Sequence, residues 1–118
     1  MSEASLPELS AEDRKLVTLA RAARGRTGGP DGAAVRDSDG RTYAAATVSL
    51  SSLQVSALGV CVAMAVSSGS QGLEAAVLLT DGDAVSRLDL QVLRDFAGEG
   101  VTVHVGDPRG LISTTATT

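Results

Sequence analysis

"LQVSALGVCVAMAVSSG", Leu53–Gly69, is the stretch on which the fold turns. It carries no charged residue and no aromatic. Its one amide, Gln54, and most of its serines lie near its ends, with Ser56 alone inside. A segment apolar on every side reads as a helix buried on every side. It falls short of the roughly 20 residues a membrane span needs, so it belongs in a protein core. In a chain of 118 residues such a helix lies between a sheet and some further cover. A neighbouring subunit is the simplest cover.

Working outward, the flanks supply the sheet. "AAVRD", Ala33 to Asp37, and "TYAAATV", Thr42 to Val48, flank "SDGR" and predict a β-hairpin, with Asp39-Gly40 as the turn dipeptide. "LEAAVLLT", Leu73 to Thr80, reads as a buried strand, and "VTVHV", Val101 to Val105, as the last clear one. "SAEDRKLVTLARAAR" reads as a first helix capped by Ser10, with Leu16, Leu19, Ala20 and Ala23 on one face. "SRLDLQVLRDFAGEG" reads as a third helix. It opens on the capping box Ser86-x-x-Asp89 and closes at Gly98 and Gly100. The order α-β-β-α-β-α-β predicts an α/β fold: a single mixed β-sheet with helices on both faces. The expected organisation is one domain over 1–118, with an N-terminal tail at 1–9. Residues 107–118 are expected as a flexible C-terminal tail, holding a short edge strand at most.

Composition bounds the function. Tyr43 and Phe96 are the only aromatics, so the core comes from Ala, Val and Leu, which bury little area each and favour oligomerisation. A net charge of −4 without a basic tract or aromatic platform argues against nucleic acid. No membrane role is expected. The acidic, polar N-terminus does not read as a signal peptide, and Cys61 as the only cysteine excludes an internal disulfide. Together they point to the cytoplasm. One lysine, one isoleucine and no asparagine fit the codon bias of a GC-rich, actinobacterial genome.

Three matches in one order carry a resemblance. Gly32-Ala33-Ala34 and Asp39-Gly40-Arg41 match a V-G-A-A and D-G-R signature. Ala65-Val66-Ser67-Ser68-Gly69 matches an A-V-S-x-G helix end. Gln91-Val92-Leu93, Asp95 and Phe96 match P-C-x-x-C-R-Q-V-L-x-E-F. The chain resembles, over roughly residues 11 to 106, the small cytidine deaminases, zinc hydrolases of free nucleosides. The resemblance implies a zinc-binding Cys at the position of Ser56 and a proton-shuttling Glu at Leu58. It implies the two Cys of C-x-x-C at Ser86 and Asp89, the ribose-holding Asn and Glu at Thr47 and Ser49, and an aromatic at Gly29. None of these groups stands in this chain. Zinc deaminases need three His or Cys ligands to activate water and a carboxylate to move protons. One Cys and one His in the whole chain do not supply them.

The expectation is therefore a catalytically inactive deaminase-like protein with no zinc and no other cofactor. It would act as an oligomeric structural, interaction or regulatory module, a homo-dimer or homo-tetramer, with another protein as a further possible partner. The alternatives are a nucleoside or nucleotide sensor, and a true cytidine deaminase with an unusual metal site. Other polar residues have plainer readings. His104 is expected as a surface or satisfied histidine. Cys61 is expected as a small buried hydrophobe. Asp81 and Asp83 in "TDGDAV" are expected as solvated, and "SSGSQG", Ser67 to Gly72, as a helix C-cap and turn.

Overall fold

A computed structural model describes residues 9–118, so the expected N-terminal tail lies, but for Leu9, outside the described residues. Ser10 caps α1, Ala11–Thr27. Its hydroxyl accepts the Asp13 N–H at 3.1 Å, and Gly28 ends the helix at φ 66°. Strands β1, Gly32–Asp37, and β2, Thr42–Ala46, form the expected hairpin. Two short strands follow, β3 (Val48–Leu50) and β4 (Leu53–Val55), and then α2, Ala57–Ser67. The rest is β5 (Leu73–Leu79), α3 (Arg87–Ala97), β6 (Thr102–Gly106) and β7 (Ile112–Thr117).

Five strands form one mixed sheet in the order β2-β1-β5-β6-β7, while β3 and β4 pair only with each other. β5 and β6 are parallel, joined by the α3 crossover, and the remaining pairs are antiparallel. α1 covers one face, where Leu16 and Ala20 pack on Ala34, Val77 and Leu79. α2 and α3 cover the other, where Leu58, Cys61, Val62 and Leu93 pack on Val35, Leu78, Val103 and Val105. Each fully buried Val or Leu here contributes about 1.5–3 kcal/mol. Gly32 sets the approach of α1: a β-carbon there would run into the Ala20 carbonyl and come within 2.8 Å of Arg24 Cβ.

Two expectations need correction. The opening stretch is not helical from Leu53. Val48, Leu50, Leu53 and Val55 share one side of a small hairpin, with Ser49 and Gln54 on the other. That alternation has the period of a strand, and the helix begins only after Ser56. Within the chain α2 keeps one side uncovered, the side for which a neighbouring subunit is the expected cover. Ala57, Leu58, Cys61, Val62 and Ala65 are buried, but Ala63 and Val66 are exposed. Finally, residues 107–118 are no flexible tail. Ile112–Thr117 pairs with β6, and Thr118 closes the end by accepting the Val101 N–H at its hydroxyl and donating to the Gly98 carbonyl. Six residues rich in Thr have the β-branched character that suits an edge strand.

Candidate functional site

One group of polar residues on the α2/α3 face meets where the two helices begin. Ser56 and Ser86 are both extended N-cap residues. Ser56 Oγ accepts the Gly59 N–H at 2.9 Å, and Ser86 Oγ accepts the Asp89 N–H at 3.1 Å. Each bond satisfies one of the donors a helix start leaves free. A capping box would turn the Asp89 carboxylate back to Ser86. Instead it reaches across to α2, where Ser56 Oγ donates to Asp89 Oδ1 at 2.7 Å. A nearly buried carboxylate thus lies where the positive ends of two helix dipoles meet. Gly59 keeps the arrangement open, because a β-carbon there would sit 2.9 Å from Ser56 Oγ and 3.0 Å from Val55 Cγ1.

Leu58, the second residue of α2, is only 1% exposed and belongs to the core with Ala33, Val35 and Ala45. It supplies hydrocarbon and no proton. The structure therefore brings Ser56, Ser86 and Asp89 together, beside Leu58. The other three positions have no hydrogen bond to this group. Gly29 donates to Thr27 Oγ1 in the loop before β1. Ser49 is exposed on β3, opposite Gln54. Thr47 joins β2 to β3, and its backbone N–H donates to the Asp31 carbonyl at 3.3 Å. Its hydroxyl is buried and has no partner among the described residues.

The remaining candidates are structural. Asp81 and Asp83 are exposed, and Thr80 Oγ1 closes their loop by accepting the Gly82 N–H. "SSGSQG" is a C-cap and turn: Ser68 and Ser70 donate their N–H groups to the end of α2, and Gly69 has φ 87°. Cys61 is buried, its thiol directed at the Tyr43 carbonyl at 3.6 Å, and burial pushes it up to about 12, which leaves it inert.

Two polar networks escaped the sequence reading. Under α1, Asp13 bridges His104 Nε2 and Arg36 Nη2, both at 2.9 Å, and Arg36 Nε reaches Glu74 at 2.8 Å. Burial works to raise the Asp13 pKa, but the bonds from His104 and Arg36 outweigh it, so Asp13 titrates below the usual carboxylate range. Behind the Asp39-Gly40 turn, buried Asp37 accepts from the Ser70 and Tyr43 hydroxyls and from the N–H groups of Asp39 and Arg41. The Ser70 bond leads in holding its pKa below the usual range. Both networks join residues far apart in sequence. The one local hint was Asp13 three residues after Ser10, which reads as a cap.

Two neutral hydroxyls and one carboxylate do not fit zinc, which takes thiolate, imidazole and carboxylate donors. Both hydroxyls already accept backbone N–H groups, and one also donates to the carboxylate. Among the described residues no three His, Cys, Asp or Glu side chains come together as a metal site.

A family model described as cytidine deaminase-like matches residues 9–110. Among curated proteins no sequence matches. In fold the chain is similar to the cytidine deaminase of Burkholderia pseudomallei, at 18% identity and TM-score 0.79 over 92% of this chain and 93% of that one. It is similar also to that of Mycobacterium leprae, at 21% identity and TM-score 0.72 over 92% and 94%. For the cytidine deaminase of Mycobacterium tuberculosis the values are 22% and 0.69 over 80% and 85%.

Proposed function

The chain belongs to the cytidine deaminase-like family, and from that premise we propose that it is a member without deaminase activity. It acts as one domain in an oligomeric structural, interaction or regulatory module. The observation that carries this reading is the bond from Ser56 to Asp89 at 2.7 Å. The positions where the resemblance implies zinc ligands satisfy one another and the two helix starts. A buried leucine stands where the resemblance implies the proton carrier. General acid–base assistance is worth about 10²- to 10⁴-fold, and Leu58 supplies none of it. Activation of water is lost with the thiolates. The lone, buried thiol of Cys61 suits a reducing cytoplasm.

Zinc content and turnover test the reading together. Purified protein is expected to carry no stoichiometric zinc by elemental analysis, and to leave the ultraviolet absorbance of cytidine and deoxycytidine unchanged. About one zinc per chain that resists mild chelation would overturn the reading. So would turnover that survives removal of host deaminase.

A further inference from the structure

α1 carries an uneven share of the charge. The chain has 14 acidic and ten basic residues, yet five of the ten lie in α1, against two acids, Glu12 and Asp13. Helical spacing turns them outward. Leu16, Ala20 and Ala23 are buried against the sheet, while Arg14, Lys15, Arg21 and Arg26 are exposed. Arg14 and Arg21 stand two turns apart on one side of the helix, about 10 Å along its axis. Thr18 lies between them, with Ala22 and Gly25 beyond. All three are exposed and small, so the row of guanidinium groups is unobstructed.

These cations are held, but not by acids. Arg14 Nη1 donates to the Leu9 carbonyl at 2.7 Å, Arg21 Nη1 to the Arg109 carbonyl at 3.2 Å, and Arg24 Nε to the Pro30 carbonyl at 3.4 Å. Among the described residues, Arg14, Arg21, Arg24 and Arg26 have no carboxylate partner. The ion pairs are Lys15 with Glu12, Arg36 with Asp13 and Glu74, His104 with Asp13, and Arg109 with Asp107. A single carbonyl orients a guanidinium and leaves its other N–H groups to meet a carboxylate. Helix stability does not account for the row. Cations suit the last turn, where Arg24 and Arg26 lie, but not the start, where Arg14 is the fourth residue.

We propose that the outer face of α1, centred on Arg14 and Arg21, is a docking surface for an acidic segment of another protein. Its charge selects an anion. Stacking of nucleic-acid bases needs aromatic side chains, and the only two, Tyr43 and Phe96, lie on β2 and α3. Insertion into a lipid surface needs apolar side chains beside the cations. None of the exposed large apolar residues, Leu50, Leu53, Val66, Leu88 and Leu111, belongs to α1. A row of carboxylates needs neither. Outside α1, acidic residues outnumber basic ones by more than two to one, so the rest of the chain repels such a segment and steers it to this face. The inference goes beyond the proposed function and does not depend on it. Zinc content and turnover concern Ser56, Leu58 and Asp89, which lie across the sheet from α1.

Binding of a fluorescent polyglutamate peptide to the full chain, read by anisotropy, tests it. The peptide is expected to bind at low salt and to weaken as salt rises. Arg14→Gln with Arg21→Gln is expected to weaken binding about tenfold, with unchanged circular dichroism because both side chains are exposed. Arg87→Gln with Arg94→Gln removes the same charge from α3, across the sheet, and is expected to change binding less than about twofold. A single-stranded RNA of equal charge and anionic phosphatidylserine vesicles are expected to bind more weakly than the peptide. Should the first double variant fail to fold, Thr18→Glu sets a carboxylate between the two arginines and is expected to abolish binding. A peptide that does not bind at low salt overturns this docking surface. So do equal losses in the two double variants, which would make net charge the cause. Tighter binding of RNA or vesicles overturns the assignment to an acidic protein segment.

Discussion

The two faces of the sheet handle polar groups in opposite ways. Beneath α1, an ion network of Asp13, Arg36, Glu74 and His104 is built into the packing, with Asp13 shared between two partners. Beneath α2 and α3, the face on which the resemblance implies the family's chemistry, the core holds Leu58 and Cys61. Its charges are two separate carboxylates, Asp89 tied to Ser56 and Asp37 tied to Ser70 and Tyr43. A buried charge is tolerated where partners satisfy it. The α1 face pairs Arg36 with Asp13 and Glu74 and ties Asp13 to His104, so they hold a helix in place. The α2/α3 face satisfies Asp89 with the Ser56 hydroxyl and Asp37 with two hydroxyls and two backbone N–H groups, so its carboxylates tie separate elements together.

The comparison breaks most visibly at Leu58. Leu58→Glu places a carboxylate among Ala33, Val35 and Ala45, and is expected to cost about 4 kcal/mol in denaturant unfolding. A loss under 1 kcal/mol would mean that the site is open to water. Combining it with Ser56→Cys, Ser86→Cys and Asp89→Cys offers three thiolates and an open position. The folded variant is expected to bind zinc with Zn–S distances of about 2.3 Å by X-ray absorption, and to regain stability on doing so. Turnover is expected to stay slight, because Gly29, Thr47 and Ser49 lack the groups that the resemblance implies for orienting a nucleoside. If that variant folds and takes up no zinc, the placement of the ligand positions fails.

On the other face, Asp13→Asn strips Arg36 and His104 of a charged partner and is expected to cost about 2 kcal/mol. It should also change the acid limb. The folded-state pKa of Asp13 is lowered, so its contribution is fully present above the unfolded value of about 3.9 and is lost as pH falls through the lower folded value. The variant is therefore expected to lose less stability than wild type between about pH 4 and the acid transition. Asp37, also lowered, keeps part of the dependence. Identical acid limbs in chemical unfolding would separate Asp13 from the network.

The smallest effect sharpens the comparison most. Ser56→Ala removes an N-cap and the donor to Asp89, and Ser10→Ala removes an exposed cap alone. A cap is worth about 1 kcal/mol, so Ser56→Ala is expected to exceed Ser10→Ala by up to about 1 kcal/mol in paired melts. Equal losses would show that the bond between the helices adds nothing.

What the sequence determined by itself was local. Ser10 and Ser86 announce their helices because a cap acts within three residues, and Asp39-Gly40 announces its hairpin because a turn acts within four. The family was legible in three short motifs, and the residues standing where the resemblance implies thiolates and a carboxylate were legible as single letters. The tertiary structure decided the rest. Val48 to Val55 alternates like a strand only once the chain has turned at Ser51 and Ser52, so the helical reading of Leu53 was natural and wrong. Asp13 and Asp89 both read as residues of a first helical turn. Their partners, His104 and Ser56, lie 91 and 33 residues away and meet them only when helices dock. A carboxylate's short reach is set by its neighbours in the chain; which distant donor comes within hydrogen-bond distance is set by packing, and no spacing in the sequence records it.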